Sequence, residues 1–520
     1  MLQCGIFLRA QARSHPDRAA VVSRERTLTY RELEQESARL ANALSRRGIT
    51  KGARIAVLMK NGVEWALLWY ACQKLGAVMA PLHSRLKHDE LVRAVSLAGA
   101  AALVYGPEFS EAAAAICGAC WSVKRTICVG GEGIPGSERW EQLFLRKDDR
   151  AVQAPLEGTD PALLLFTSGT TGASKGVLRT QEMVALHGVT LALAAGRSDR
   201  PPVMLTTAPL YHTGGLLCLF KMGVMGGTLV LPDRFDPAEL PEQIARHRVT
   251  QLMLLPPVVY EWLYDDGHWR GHDLSSVEEV CVSAGKCTYE YAMHIFEMFP
   301  NCCLRPSWGA TETSSVTGMA LRREELEADP ELIRSVGYVN AMNEVRIVDE
   351  QGKEVPEGEI GEAQVRSPMV FSGYLAHTGG GDNVFAPGGW FRTGDLMRMD
   401  PGTRCYYFMD RKKDMIKTGG ENVYAPDVER VIQQHPAVAD CAVVAVPDPR
   451  YEEGVGAAIV LRPGCTLTPE ELTEFCRTHL PSFQKPRYLA LQDALPVNSV
   501  GKVQKNVLRD HAAELFQPIF

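Results

Sequence analysis

Apolar and polar positions in the first 150 residues alternate between helical spacing and strand spacing. Thr29 and Glu32 have the spacing of a capping box, and Leu33, Leu40 and Leu44 then recur on one helical face. A short apolar run at 54–59 indicates a strand before a second helical pattern. We therefore predict helices at 30–47 and Val63–Leu75 with a strand between them.

The same alternation continues to about residue 335. Four further apolar runs are separated by helical patterns, at 162–166, 203–207, 251–255 and 279–283. Short apolar strands joined by helical crossovers are typical of parallel sheets with helices on both faces.

The character of the chain changes after about residue 335. Short strands bounded by turn residues are predicted at Glu344–Val348, 362–366 and 406–409. From residue 414 a compact α/β unit is predicted, with helices at 426–434 and Pro469–His479 and strands at 441–446 and 457–461. Thr468, Pro469 and Glu471 together form a strong helix-start signal.

Composition narrows the class of protein. The chain has 520 residues, of which 46% are apolar and 22% are charged, as in an average globular protein. The net charge of -7 provides no bulk positive field for nucleic acid or an anionic membrane. The apolar stretch 214–231 contains Lys221 and several glycines, which favours buried core over a membrane span. Fourteen scattered cysteines and a start without a secretory pattern lead us to expect a cytoplasmic protein.

A segment rich in glycine and hydroxyl groups is the strongest candidate for anion binding. Residues 167–176 read TSGTTGASKG and directly follow the apolar run at 162–166. Glycines allow the backbone to approach an anion, while hydroxyls and a lysine donate to phosphate oxygens. The spacing excludes a Walker A loop. The candidate phosphate ligands are Thr167, Ser168, Gly169, Thr170, Thr171, Gly172 and Lys175.

This loop resembles the signature of the adenylate-forming (AMP-binding) superfamily, in its acyl-CoA synthetase and aryl-CoA ligase branch. Further motifs of that family follow in the same order: YHTGG at 211–215, WGATET at 308–313, GWFRTGD at 389–395, DRKKD at 410–414, GGEN at 419–422 and NSVGK at 498–502. The resemblance implies activation of a carboxylic acid by ATP to an acyl adenylate, followed by transfer to coenzyme A with release of AMP. Its substrates would be a small carboxylic acid, ATP and coenzyme A, with magnesium as cofactor.

The resemblance also implies the architecture. We expect an α/β fold with a large N-terminal domain, 1–410, built from two α/β subdomains plus a β-barrel. A small mobile α+β C-terminal domain, 411–520, would carry the catalytic lysine. A homodimer is one possible assembly of such a protein.

Catalytic roles are implied for four residues. Lys502 would contact the attacking carboxylate and the α-phosphate, and Thr311 would donate to the α-phosphate. Glu312 would hold Mg²⁺, a hard cation that prefers oxygen ligands. His212 would belong to an aromatic gate between the acyl pocket and the nucleotide, although a packing role is the alternative.

Nucleotide and coenzyme A contacts are implied elsewhere. Trp308 stands where the family usually has tyrosine, so it would stack on the base without offering a phenolic hydroxyl. Gly309 is a further nucleotide-binding candidate, and Asp395 and Arg411 would contact the ribose. Lys413 occupies the hinge position. The segment expected at the pantetheine tunnel comprises Gly419, Gly420 and Glu421.

The acid itself is left open by the sequence. Gly214 begins a small, aliphatic segment, which suits a medium aliphatic or aromatic acid. Lys286 either recognises a second carboxylate on the substrate or pairs with a protein acid such as Glu290. An amino-acid adenylation enzyme and a non-catalytic nucleotide-binding scaffold are the rival interpretations. An amino-acid adenylation enzyme would be expected to have an aspartate that anchors the substrate amine where this chain has Tyr211 and His212. A non-catalytic scaffold is disfavoured because Lys502, Glu312 and Asp395 are all present.

Overall fold

The structure is a computed structural model that describes residues 3–146, 148, 154–168, 174–196, 200–285, 287–375, 384–497 and 503–519. The chain divides into two compact units. The first comprises Met1–Glu344 and Val365–Phe385, and the second comprises Val345–Gln364 and Ala386–Phe520. The predicted boundary at residue 410 stays a prediction.

The first unit is an alternating α/β structure. Its helices are α1 Gly5–Ser14, α2 Tyr30–Arg46, α3 Val63–Leu75, α4 His88–Ala98, α5 Ser110–Ala119, α6 Gln181–Ala195, α7 Thr213–Met225, α8 Leu240–His247, α9 Val258–Asp266, α10 Tyr289–Met298 and α11 Arg323–Ala328. Its strands are β1 Ala19–Ser23, β2 Thr27–Thr29, β3 Arg54–Leu58, β4 Val78–Pro81, β5 Ala102–Tyr105, β6 Arg125–Cys128, β7 Glu138–Arg139, β8 Pro161–Ser168, β9 Ser174–Thr180, β10 Val203–Thr206, β11 Thr228–Leu231, β12 Gln251–Met253, β13 Glu279–Cys281, β14 Cys303–Arg305, β15 Ser307–Ala310, β16 Ser314–Gly318 and β17 Ser335–Val339.

The remaining elements complete the first unit and form the second. The strands are β18 Glu344–Val348, β19 Gly361–Arg366, β20 Tyr374–Leu375, β21 Phe385–Ala386, β22 Trp390–Met399, β23 Tyr406–Arg411, β24 Ile416–Thr418, β25 Glu421–Val423, β26 Val438–Asp448, β27 Glu452–Leu461, β28 Tyr488–Leu491 and β29 Gln517–Pro518. The helices are α12 Ala425–Gln433, α13 Pro469–His479, α14 Lys505–Asp510 and α15 Ala512–Leu515.

Two largely parallel sheets organise the first unit. One has the strand order β14-β13-β12-β10-β11-β1-β2, and the other has the order β20-β9-β8-β4-β3-β5-β6-β7. The parallel pairs confirm the crossovers that the sequence predicts. The β8–β9 pair is an exception, because it is an antiparallel hairpin. Its two strands are the two limbs of the predicted phosphate loop.

Local start signals place several helices as predicted. Thr29 and Glu32 form both bonds of the capping box at the start of α2, and Thr468 and Glu471 do the same at α13. The helix α3 is buried almost all round and packs in a core shared by both sheets, around Trp65 and Trp69. None of the helices in the described part of the chain is long and apolar enough to cross a membrane.

Candidate functional site

The phosphate-loop candidate is the connection between β8 and β9. Thr167 lies opposite Lys175 across this antiparallel pair, so the two limbs of the loop are held in register. Gly169, Thr170, Thr171, Gly172 and the side chain of Ser168 lie outside the described part of the structure. The described limbs therefore bring one hydroxyl residue and one lysine to the base of the loop.

The turn at 308–313 joins two antiparallel strands, β15 and β16. Its ends approach so closely that a Cβ on Gly309 would lie 2.0 Å from the carbonyl oxygen of Ser314. Only glycine fits this position without moving the backbone. Ser314 itself has a φ of 68°, the left-handed region that a side chain disfavours. The turn is thus fixed at both ends, with Thr311 and Glu312 at its tip.

Hydrogen bonds hold the tip of this turn from several sides. Thr213, the first residue of α7, donates its hydroxyl to the Thr311 hydroxyl at 3.1 Å. The amide of Phe371 donates to the Glu312 carbonyl at 2.9 Å. The Tyr374 hydroxyl donates to Glu312 Oε1 at 2.8 Å. These contacts tie the side chains of Thr311 and Glu312 to elements distant in sequence.

A buried guanidinium supports the same turn from below. Arg179, in β9, is 2% exposed. It donates to the Thr311 carbonyl at 2.9 Å and to the Ser314 hydroxyl. Burial lowers the pKa of Arg179 to about 10, an effect that the nearby negative charge of Glu312 opposes. At neutral pH the group stays charged and serves as an internal cation behind the turn.

His212 caps the start of α7 within a group of three rings. Its ring centroid lies 4.9 Å from that of His83 and 4.7 Å from that of Tyr211. Burial lowers its pKa to about 4, so the imidazole is neutral at physiological pH. Its Nε2 is buried and forms no hydrogen bond in the described part of the chain. An unpartnered buried nitrogen of this kind is available to a ligand.

The face of α7 that starts at Gly214 leads to a cluster of charges. Cys218, one turn on, contacts Met253 through sulfur at 3.1 Å. Lys221 follows on the same face and pairs with Glu279 at 3.1 Å. Glu279 also pairs with Arg305 at 2.7 Å. The distance along the helix from residue 214 to residue 221 is about 10 Å.

The second unit places the ribose candidates opposite each other. Asp395 in β22 and Arg411 in β23 are direct partners across an antiparallel pair, with Arg411 Nε 3.6 Å from Asp395 Oδ1. Asp395 is 9% exposed. Its amide donates to the Thr393 hydroxyl, which itself donates to the carbonyl of Ala363. These two bonds hold the backbone at Asp395 in place, and Arg411 is the charged neighbour of its carboxylate.

The hinge and tunnel candidates follow directly. Lys413 lies in a turn next to Asp414, which pairs with Arg509, and partial burial lowers the pKa of Lys413. Gly419 and Gly420 form the two-residue connection of the β24–β25 hairpin, with φ values of 58° and 86°. Both positive values suit a tight hairpin turn that favours glycine. Glu421 opens β25 on the far side of this turn.

Not every predicted residue is placed, and sequence reasoning missed others. Lys502 and Lys286 lie outside the described residues. The helix that carries Glu290 begins at Tyr289, and the expected pairing of Lys286 with Glu290 stays a prediction. Trp308 is 8% exposed, which leaves little of the indole face open in this structure. Arg179 and Tyr374 were not predicted; an arginine directly after the apolar pair Val177 and Leu178 in β9 was the local signal for the first.

Comparison with known proteins identifies the family of the chain. Residues 8–375 match the family model described as AMP-binding enzyme, and residues 427–502 match the AMP-binding enzyme C-terminal domain. The chain is 32% identical over 501 residues to a feruloyl-CoA synthase from an Amycolatopsis species, covering 96% of this chain and 97% of that protein.

Two solved structures show the same fold over nearly the whole chain. One is the o-succinylbenzoate CoA synthetase of Bacillus subtilis in complex with its acyl-adenylate intermediate, with 27% identity, a TM-score of 0.84 and coverage of 97% and 98% of the two chains. The other is ATP-bound MatB from Rhodopseudomonas palustris, with 27% identity, a TM-score of 0.87 and 99% coverage of each. The expected fold class is confirmed. The chain belongs to the AMP-binding enzyme family, in its branch of AMP-forming acyl-CoA ligases.

Proposed function

We propose that this protein activates a compact, aromatic-sized carboxylic acid with ATP and transfers the acyl group to coenzyme A. The reaction class is that of its family: a carboxylate oxygen attacks the α-phosphorus of ATP, pyrophosphate leaves, and the thiol of coenzyme A then displaces AMP from the acyl adenylate. The size of the acid is the part that this chain's own residues support.

The observation that carries the size argument is the ionic cluster on the α7 face. An acyl tail entering beside Gly214 would meet the Cys218–Met253 contact and then the pairs of Glu279 with Lys221 and Arg305. Lys221 and Glu279 have side chains only 11% and 12% exposed. Passing an alkyl chain through this cluster would separate buried charges, which is strongly unfavourable. A tail of about 10 Å fits before that point, and a long fatty acyl chain does not.

Two of the similar proteins are named for acids of this size class. The curated relative at 32% identity is a synthase of feruloyl-CoA, and one matched structure contains the adenylate of o-succinylbenzoate. Both names denote acids built on one aromatic ring. We therefore place the substrate of this protein among benzoic and cinnamic acid types.

For the first half-reaction, we propose that Lys175 and the hydroxyls of the β8–β9 loop bind the β- and γ-phosphates, since charge and oriented donors offset the repulsion between two anions. Thr311 would donate to the α-phosphate, and Asp395 and Arg411 would bind the ribose. Lys502 would bridge the attacking carboxylate and the α-phosphate. The neutral His212 would offer its unpartnered Nε2 to the acid without adding a charge.

Magnesium fits the residues that are present. In the described part of the chain, no group of three or more His, Cys, Asp or Glu side chains forms a metal site. Mg²⁺ is commonly held by one or two carboxylates together with substrate phosphates, and Glu312 supplies one carboxylate beside the phosphate loop. One of its oxygens is held by Tyr374. When bound, the ion would neutralise charge on the phosphates.

For the second half-reaction, Lys413 would be the hinge and the Gly419–Gly420 turn with Glu421 would line the path of the pantetheine arm. Release of pyrophosphate with formation of acyl adenylate in the absence of coenzyme A, and release of AMP with formation of acyl-CoA only in its presence, would separate the two steps. A homodimer and a cytoplasmic location stay predictions.

The experiment is a pyrophosphate-release screen with mass detection of AMP and acyl-CoA. The acids compared are benzoates, hydroxycinnamates, octanoate and palmitate, each with and without coenzyme A. We expect the ring acids to give the highest kcat/KM and palmitate the lowest. Palmitate as the best substrate would overturn the size assignment, and no AMP from any acid would overturn the function.

A further inference from the structure

We propose that Tyr374 is a positioning residue that holds Glu312 and Lys175 apart and oriented for MgATP. This inference rests on the proposed function. Tyr374 opens the two-residue strand β20, which pairs antiparallel with β9. In this register Tyr374 lies opposite Val177 and Leu375 lies opposite Gly176. The strand therefore runs beside the C-terminal limb of the phosphate loop.

The side chain of Tyr374 contacts both charged candidates at once. Its hydroxyl donates to Glu312 Oε1 at 2.8 Å. The Lys175 Nζ lies 4.7 Å from the centroid of its ring, a cation–π distance. One neutral side chain thus gives a hydrogen bond to the carboxylate and an aromatic face to the ammonium.

This arrangement prevents the two opposite charges from neutralising each other. A glutamate and a lysine on the same site would otherwise gain by forming a direct salt bridge. That bridge would compete with the metal for the carboxylate and with phosphate for the ammonium. Among the described residues, Glu312 is in no ion pair and its carboxylate is held by Tyr374. Its other oxygen keeps a defined direction because the first is fixed.

The neighbouring residues reinforce this role. The amide of Phe371 donates to the carbonyl of Glu312, and the Phe371 ring, which is 1% exposed, packs edge-on against Tyr374 at 4.8 Å. A single five-residue segment, 371–375, therefore holds both the backbone and the side chain of Glu312. Packing locks the ring, so the hydroxyl is presented in one place.

The test compares Tyr374→Phe, which keeps the ring and removes the hydroxyl, with Tyr374→Leu, which removes both contacts. Binding of the non-reacting analogue α,β-methylene-ATP is measured by calorimetry with and without Mg²⁺, and pyrophosphate exchange is titrated with Mg²⁺. For Tyr374→Phe we expect the half-saturating Mg²⁺ concentration to rise about tenfold, the scale of one hydrogen bond to a charged group. Its metal-free nucleotide affinity should change less than twofold. Tyr374→Leu should weaken metal-free binding as well.

Two further variants make the outcome decisive. In a Glu312→Gln background, adding Tyr374→Phe should change the Mg²⁺ requirement less than twofold, because the group it positions is gone. Tyr289→Phe, at a half-exposed tyrosine of the same unit, is the matched control and should behave as wild type. An unchanged Mg²⁺ requirement in Tyr374→Phe, or an equal tenfold effect in both backgrounds, would overturn the positioning role. Failure of the wild type to bind the analogue with Mg²⁺ would instead count against the proposed function.

Discussion

Replacing Arg179 separates the support of the Thr311–Glu312 turn from the stability of the fold. Arg179→Met replaces the arginine with an unbranched apolar side chain, and it removes the charge and both hydrogen bonds. Arg179→Lys keeps the charge in the same buried place but loses the planar fork of donors. Arg125→Met, at an exposed arginine of the same unit, is the matched control.

The magnitude follows from two opposing contributions. The pKa of Arg179 lies near 10 instead of its ordinary 12.5, so keeping the buried group charged costs about 3 kcal/mol. The methionine variant recovers this cost. It also leaves the Thr311 carbonyl and the Ser314 hydroxyl without their donor, at about 1–3 kcal/mol each. We therefore expect the free energy of unfolding of Arg179→Met to fall by at most about 3 kcal/mol.

Activity should fall by more than this small stability change explains. Without its anchor the turn moves, and a displacement of about 1 Å at reacting groups costs up to about 10²-fold in rate. We expect kcat/KM for ATP in pyrophosphate exchange to fall about 10- to 100-fold in a protein that remains folded. Arg179→Lys should be less stable than Arg179→Met, because it leaves a buried charge with poorer partners.

Urea unfolding followed by circular dichroism gives the stabilities, and pyrophosphate exchange gives the rates. Arg179 would not support the turn in this way if Arg179→Lys proved the more stable of the two variants, or if Arg179→Met exchanged pyrophosphate as fast as the Arg125→Met control. A loss of stability well above 3 kcal/mol in Arg179→Met would show that the desolvation cost is overestimated.

Three more predictions concern other parts of the chain. Lys502→Ala should slow adenylate formation by a factor of about 10²–10³, the scale of one preorganised charge contact. Thioester formation from supplied acyl adenylate should be much less affected, and equal losses in both assays would contradict a role confined to the first step. Lys413→Pro, which fixes φ near -65°, should preserve pyrophosphate exchange and reduce acyl-CoA formation, and normal overall turnover would argue against a hinge at this residue. In the folded protein His212 has a pKa of about 4, below its ordinary value of 6.5. Between these two pH values the unfolded chain binds a proton that the folded chain does not. The stability due to the neutral ring is therefore complete above pH 6.5 and is lost as the pH falls towards 4. Between pH 6.5 and 5.5 the wild type should therefore lose roughly 1 kcal/mol more unfolding free energy than His212→Phe, measured in urea, and parallel pH profiles would disprove the assigned pKa.

Elements with strong local signals were predicted from the sequence. The bounds of α3 and α13 agree with the predicted Val63–Leu75 and Pro469–His479, and both predicted capping boxes form. Capping and helical periodicity depend on residues within a few positions of one another, so a single sequence contains the information.

Features set by tertiary packing were not predicted. The β8–β9 hairpin interrupts the expected parallel order, because an apolar run looks the same whether its neighbour is parallel or antiparallel. Tyr374 reaches Glu312 across 62 positions of sequence, and Arg179 reaches Ser314 across 135. No local pattern encodes such contacts. The candidate residues came from sequence motifs, whereas the residues that contact and orient Thr311 and Glu312 could not be predicted in this way.

The Gly309–Ser314 turn also constrains how this enzyme can acquire new substrates. Because a single added carbon at position 309 would collide with backbone, the chemical half of the site cannot drift in sequence without losing its shape. The proposed acyl side is different, since Cys218 contacts Met253, and Lys221 contacts Glu279, through side chains. Thr213, where α7 touches Thr311, links the two halves. Directed evolution towards larger acids should therefore collect its mutations from residue 218 onward along α7 and in the Glu279 cluster, and leave the turn and Thr213 untouched.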